Sequence, residues 1–303
     1  MVFREASFDE AIRLYTCYCK ARGLAERTIR TYSSALEQLR ASLAHPEEPC
    51  PLPRREDLRS FTTWLLSEGY ARSTISIRMR AIRAFGGFLK REGILDTNPM
   101  DGVPIPKVPI SYPEVLSTEE MARLLKAART RTWHGTRNHA VIAMFCDTGL
   151  RLSELISLDV EDVDLNALSV RVRRGKGGKE RHGYIGHMLA RALRRWIEIR
   201  PFAAGSVAFF CTTNGRRLDK RNVARIIDRV AGRAGFGNRR VHPHMLRHTF
   251  ATHYIQNGGD PFSLQRILGH SDIKTTMIYV NLAGVGLQEA HAKASPVDRM
   301  LSR

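Results

Sequence analysis

The segment NPMDGVPIPKVPISYP, residues 98–113, places five prolines in sixteen residues. Proline fixes φ and has no amide hydrogen to donate, so such a run is excluded from a helix interior or a central strand. It predicts a semi-rigid extended linker rather than part of a core. The chain then has to fold as two units, residues 1–97 and 114–303, with the boundary near Pro109.

Within the first unit, residues 6–44 repeat apolar side chains at helical spacing. The pattern breaks at ARGLAERT, where Gly23 can end one helix and Thr28 stands near the start of the next. The stretch HPEEPCPLP, 45–53, has four prolines in nine residues and reads as a connection. REDLRSFTTWLLSEG and RSTISIRMRAIRAFGGFLKREG follow as two more helices, each closing on a glycine suited to a C-terminal cap. The first unit is expected to hold four helices.

Past the linker, STEEMARLLKAAR fits a capping box, with Ser117 or Thr118 capping and Glu120 reaching back. Residues 136–158 predict two helices meeting at Gly149. ALSVRVRRGKGGKERHGYIG alternates about a glycine-rich centre, the pattern of a β-hairpin with a flexible tip. Further helices are expected at 187–199, 219–234, 244–257, 261–268 and 272–280. The fold class is mainly α with a small β-sheet.

Lys and Arg total 48 against 30 Asp and Glu, a formal charge of +18 that points to a polyanionic partner, nucleic acid ahead of a membrane surface. No apolar run approaches the roughly 20 residues of a spanning helix. The opening MVFREASFDEAIRLY is too acidic and too broken by charge for a signal peptide. Five scattered cysteines without a C-x-x-C pair suggest reduced thiols in a cytosolic protein.

The stretch HPHMLRHTFATH, 242–253, gathers four of the 11 histidines around one arginine. Pro243 suits the first helical position, so His244, Arg247 and His248 share a face at i, i+3 and i+4. A zinc site would use His244 and His248 with His253 or another ligand, but the glutamate of H-E-x-x-H is missing and Arg247 would set a fixed positive charge beside the metal. Ordinary surface histidines are the plainer alternative. An anion site would use Arg247 as a two-pronged phosphate donor with an imidazole beside it at a helix N-terminus.

Partners for that anion site lie elsewhere in the chain. Arg151 in DTGLRLSELISL emerges from a turn after glycine, though it could simply pair with Glu154 on the surface. Lys176 and Lys179 ride on the glycine-rich hairpin tip, where a solvated basic turn is the other reading. In LGHSDIKTTMIYV, His270 follows a glycine and Tyr279 comes nine residues later, where a packed aromatic is also possible.

Taken in order, Arg151, Lys176, His244, Arg247, His270 and Tyr279, in the contexts TGLR, GKGGKER, HMLRHTFATH and LGHSDIKTTMIY, resemble the tyrosine recombinases of the Xer and phage-integrase type. The resemblance covers most of the chain. It implies a helical core-binding domain, a linker and an α+β catalytic domain ending in the tyrosine. It also implies that Tyr279 attacks a DNA phosphorus to give a 3′-phosphotyrosine and a free 5′-hydroxyl, without ATP or another cofactor. Arg151, Arg247 and His270 would neutralise charge on the non-bridging oxygens, the work a metal does in nucleases, so no metal is expected. Lys176, with Lys179 as runner-up, would protonate the departing oxygen. His244 would assist proton transfer at Tyr279 or hold its hydroxyl, while His248 would be structural and bonded to backbone. Tyr112, Tyr184 and Tyr254 lack the His270 spacing. Where most such chains continue with an apolar VPL-type strand, this one reads RHGYIG.

Outside the site, Arg221, Arg225, Arg229 and Arg233 recur at steps of four, a basic stripe suited to phosphate contact, or else a solvated face balanced by Asp219 and Asp228. Arg72, Arg78, Arg80 and Arg83 surround the fourth helix and could grip the opposite side of a duplex. A helical stretch at 286–293, with Leu282 and Leu287, is expected to dock on a neighbouring protomer, as tails do in the family it resembles. The expectation is site-specific strand exchange on double-stranded DNA with an inverted-repeat site. A homotetramer on two DNA sites, or a heterotetramer with a second recombinase, would act in the cytoplasm on bacterial or archaeal nucleoid DNA. The alternatives are a DNA-binding regulator without chemistry and a type IB topoisomerase-like relaxing enzyme.

Overall fold

The first helix, α1 (Phe8–Ala21), begins where Ser7 Oγ accepts the Glu10 amide and the Glu10 carboxylate accepts the Ser7 amide. This reciprocal cap satisfies two amides that a helix start leaves open. The computed structural model describes residues 6–43, 50–109, 111–173, 180–201 and 207–284, with residues 291, 295, 297 and 300. It divides into two units, Met1–Ile110 and Ser111–Arg303.

Helices α2 (Glu26–Ser42), α3 (Arg55–Ser67) and α4 (Arg72–Arg91) complete the first unit. Phe8, Tyr15, Leu36, Leu39, Leu58, Phe61, Ile82 and Phe85 meet in its core. The proline run departs from the expectation of a linker outside any core. Met100 and Val103 are buried in this unit's core. Asn98 Nδ2 donates to the Arg83 carbonyl at 3.1 Å, and Asn98 Oδ1 accepts the Met100 amide at 2.9 Å. Prolines exclude helix and ladder, but they leave the apolar residues between them free to pack. Gly86 permits the approach, since a Cβ there would stand 2.8 Å from the amide carbon of Asn98.

In the second unit, α5 (Thr118–Ala128) carries the Ser117/Glu120 capping box. Next come α6 (Trp133–Thr148), α7 (Leu152–Ser157), a 3-10 turn (Val160–Asp162), and strands β1 (Val163–Asp164), β2 (Ser169–Val172) and β3 (Arg181–Tyr184). The strands form an antiparallel sheet in the order β1-β2-β3, with Ser169 opposite Tyr184 and Val172 opposite Arg181. The hairpin is thus where alternation placed it, while its tip at 174–179 lies outside the described residues. Then follow α8 (His187–Ile199), α9 (Lys220–Arg233), α10 (Pro243–Gln256), α11 (Pro261–Leu268) and α12 (Lys274–Ala283). Leu287 and all but residue 291 of the helix expected at 286–293 also lie outside the described residues.

Helix α6 is central, packed against α5, α8 and α10, and is buried on nearly every side from Ala140 to Phe145. Such a helix needs no amphipathic stripe. The Leu116 amide donates to Thr249 Oγ1 at 2.9 Å and His253 Nε2 lies 2.9 Å from the Leu116 carbonyl, which straps the unit's first residues onto α10. Ala251, Ile255, Leu264, Leu268 and Tyr279 join α10, α11 and α12. No helix among the described residues is long and apolar enough to cross a membrane.

Candidate active site

Helix α6 stops at Gly149, whose φ of +59° is left-handed. Glycine adopts this conformation without the steric cost an L side chain meets. A Cβ there would also stand 2.9 Å from Leu268 Cδ2 and closer still to Phe250 Cδ1, so the missing side chain lets this turn lie against α10 and α11. Two residues on, Arg151 caps α7. Its amide donates to Glu154 Oε2 at 2.7 Å and its Nη1 to Glu154 Oε1 at 2.8 Å.

The close approach of these elements creates a cradle for Arg247 of α10. Its Nη1 donates to the Gly149 carbonyl at 2.6 Å, and its Nη2 to the Leu268 carbonyl at 2.8 Å. The same Nη2 lies 3.1 Å from His270 Nε2. Burial, helped by the charge of Arg151, lowers the guanidinium pKa to about 10, so it stays cationic at neutral pH. The site therefore holds positive charge close together before any anion arrives.

His270 follows the left-handed Gly269 that ends α11. Its Nδ1 lies 3.0 Å from Thr276 Oγ1 of α12. Burial, then Arg247 and Arg151, push its pKa down to about 4, so the ring is neutral at pH 7. An arginine N–H can only donate, hence Nε2 accepts from Arg247 and Nδ1 carries the proton toward Thr276.

Tyr279 is 2% exposed. Its hydroxyl lies 2.9 Å from His248 Nδ1. Burial, followed by the charges of His244 and Arg247, holds His248 near a pKa of about 4, which leaves a neutral acceptor for the phenol proton. Burial raises the phenol pKa, while Arg247 and Arg151 oppose that rise. This corrects the expectation that His248 bonds to backbone: its partner is the tyrosine. His244 is exposed, with its ring centre 6.4 Å from that of His248, and the hydroxyl is held by His248 rather than by His244. His242, outside the i, i+3, i+4 reasoning, caps α10 by accepting the Met245 amide at 3.2 Å.

The structure thus gathers Arg151, Arg247, His270 and Tyr279, with His244 one helical turn from His248. Lys176 and Lys179 lie outside the described residues. Two side chains escaped the sequence reasoning. Glu154, weighed only as a surface partner of Arg151, is buried, and Arg181 Nη2 also reaches its Oε2 at 2.7 Å. Burial pushes the Glu154 carboxyl up, but Arg181 and Arg151 outweigh this and hold it below its ordinary value. Arg181 belonged to a run of charge that reads as a solvated turn. Its burial comes from α11, 86 positions away in the chain, and no local pattern signals that.

Elsewhere, Arg221, Arg225, Arg229 and Arg233 line the exposed face of α9, opposite buried Val223, Ile226, Ile227 and Val230. Asp219 caps that helix: its side chain accepts the Asn222 amide. On α4, Arg72, Arg80 and Arg83 are exposed. Arg78 is not with them; its guanidinium sits 4.3 Å from the ring centre of Tyr70. Among the other tyrosines considered, Tyr112 and Tyr184 are exposed and Tyr254 packs on Phe250.

Residues 114–284 match the phage integrase family, and residues 12–93 match the phage integrase N-terminal SAM-like domain. The chain is 34% identical over 296 residues to the tyrosine recombinase XerC of Corynebacterium efficiens, covering 97% of this chain and 93% of that protein. It is 33% identical over 270 residues to the tyrosine recombinase XerD of Rhizobium meliloti, covering 86% of each. The Tn1549 transposon integrase, solved in complex with transposon right end DNA, superposes with a TM-score of 0.74 at 20% identity over 95% of this chain and 99% of that one. At that identity the likeness is one of fold.

Proposed function

This chain belongs to the phage integrase family, the tyrosine recombinases, and from that premise we propose that it exchanges strands between specific sites in double-stranded DNA with Tyr279 as its nucleophile. Cleaving and rejoining DNA in site-specific recombination is the reaction of this family, and the alternatives of a chemistry-free regulator or a relaxing enzyme are not favoured beside recombinase relatives matched over most of the chain.

In this reading Tyr279 Oη attacks the scissile phosphorus and the bond to the 5′-oxygen breaks. The phosphate stays on the enzyme as a 3′-phosphotyrosine. One ester replaces another, so rejoining is the same step reversed and calls for no nucleotide cofactor. The observation that carries the assignment is the 2.9 Å bond from the phenol to a neutral His248 Nδ1, beside two arginines. His248 takes the phenol proton as the oxygen attacks, and exposed His244, one turn away, relays it toward solvent. Arg247 and Arg151 meet the charge that grows on the non-bridging oxygens. To donate to phosphate, His270 needs its proton on Nε2. The Thr276 hydroxyl can donate to Nδ1 as readily as accept from it, so the ring can switch tautomer and keep Thr276 while giving up to the phosphate the bond from Arg247 Nη2. Lys176, with Lys179 as the alternative, protonates the departing 5′-oxygen, an assignment resting on resemblance alone.

Double-stranded DNA is the partner, a reading supported by the net charge of +18 and by relatives solved on DNA. Arg221, Arg225 and Arg229, and on the other unit Arg72, Arg80 and Arg83, contact phosphates; Arg78, committed to Tyr70, leaves that set. The working assembly is a tetramer on two inverted-repeat sites. Its subunits are copies of this chain, or this chain with a second recombinase, in the cytoplasm on nucleoid DNA. A nicked duplex that traps cleavage, drawn from sequence flanking the gene and incubated with wild type and Tyr279→Phe, tests the chemistry. A denaturation-resistant protein–DNA band with wild type alone is expected. A band that persists with Tyr279→Phe would move the nucleophile to another residue.

A further inference from the structure

Glu154 lies buried between two guanidiniums. Oε1 accepts Arg151 Nη1 at 2.8 Å, and Oε2 accepts both the Arg151 amide and Arg181 Nη2 at 2.7 Å. The Arg181 side chain is 10% exposed and that of Arg151 is 24% exposed. Arg151 is the one with surface left for a ligand. Arg181 Nη1 donates to the Ile267 carbonyl near the end of α11, and its Nε is buried without a hydrogen-bond partner among the described residues. Its Cδ and Nε come within 2.9 Å of where a Cβ on Gly269 would stand, so the glycine before His270 makes room for it. An unbonded buried donor costs stability, and packing alone gives no reason to keep an arginine here.

We propose that Arg181 is a positioning residue for strand cleavage, sharing the charge of Glu154 so that the carboxylate does not fully offset the charge Arg151 presents to the scissile phosphate, and holding the end of α11 that carries His270. Arg151, Arg181 and Glu154 together carry one net positive charge; without Arg181 they carry none, and the carboxylate pairs with Arg151 alone. Its two donors also span acceptors on different elements, Glu154 on α7 and the Ile267 carbonyl on α11. The planar fork of arginine reaches both, whereas the single ammonium of lysine does not. Leu268, next along, supplies the carbonyl that holds Arg247 Nη2. Arg181 therefore acts on Arg151, Arg247 and His270 through others. The inference rests on reading Arg151 as a phosphate ligand.

The test is single-turnover cleavage of a nicked duplex by Arg151→Ala, Arg181→Ala, Arg181→Lys, Glu154→Gln and the pair Arg181→Ala with Glu154→Gln, with melting temperature and DNA affinity measured for each. Arg181→Ala should cleave about 100-fold more slowly while DNA affinity stays within about threefold. Arg181→Lys should recover part of the loss. The pair should cleave about tenfold faster than Arg181→Ala alone, because the carboxylate that quenches Arg151 is gone, a non-additivity that a scaffolding role does not produce. With a methylphosphonate at the scissile position, which lacks the charged oxygen, the Arg181→Ala deficit should shrink to under about tenfold. Should Arg181→Ala not fold, Arg181→Lys with and without Glu154→Gln carries the same comparison. The inference is overturned if Arg181→Ala cleaves like wild type while Arg151→Ala is dead, or if the pair is no faster than Arg181→Ala. Arg151→Ala cleaving at the wild-type rate would overturn the reading of the site, and this inference with it.

Discussion

Replacing Gly149 by alanine tests how far the site depends on one backbone position. At φ +59° an L side chain costs about 1–2 kcal/mol. The new Cβ also meets Leu268 and Phe250 well inside van der Waals distance. Leu268 is fully buried and neither neighbour is a flexible tip, so overpacking adds about 1–3 kcal/mol. The sum, about 2–5 kcal/mol, lowers the melting temperature of a unit the size of Ser111–Arg303 by roughly 5–15 °C. The chemical effect reaches further than the stability effect. Arg247 is held by the carbonyls of Gly149 and Leu268, the two residues the new methyl drives apart. A guanidinium misplaced by about 1 Å slows cleavage by about 100-fold. Gly235→Ala is the control, with φ +75° and nothing within 4 Å of the added Cβ among the described residues. It bears the backbone cost alone and leaves cleavage intact. Calorimetry, with trapping on a nicked duplex well below the transition, separates the two. If Gly149→Ala melts like Gly235→Ala and cleaves like wild type, the reasoning about this turn is wrong.

Two further outcomes follow from charge. His248 and His270 fall from an ordinary 6.5 to about 4 on folding, so between those values the unfolded chain binds more protons than the folded one. Stability is therefore intact above pH 6.5 and declines as the pH falls toward 4, losing roughly 1–2 kcal/mol per histidine by pH 5. Urea midpoints at pH 7, 6 and 5 should fall in step, and a flat profile would contradict the burial of these rings. Changing Arg221, Arg225 and Arg229 together to Gln should flatten the dependence of log affinity on log salt by about 3 without slowing cleavage at saturating DNA; an unchanged slope would remove α9 from the interface.

Much of this protein was legible from short-range chemistry. Ser117 with Glu120, Pro243 and Gly149 mark helix ends because capping, missing amides and left-handed backbone are settled within a few residues. The tyrosine and its basic companions could be singled out because each sits in a short motif of its own. What the sequence could not decide were partners far along the chain. Nothing periodic announces that Asn98 seats against Gly86 and brings Met100 into a core, or that Arg78 lies over Tyr70 instead of facing outward with Arg80. The same holds at the site. A histidine beside an arginine looks like scaffolding until α12 packs on α10 and its tyrosine hydroxyl needs an acceptor. An arginine on a basic hairpin looks solvated until α11 covers it and a buried carboxylate needs a second partner. Local sequence determined which residues could do the chemistry. Tertiary burial decided which of them are neutral, which are charged and which hold the others in place, because desolvation and pairing exist only once distant segments meet.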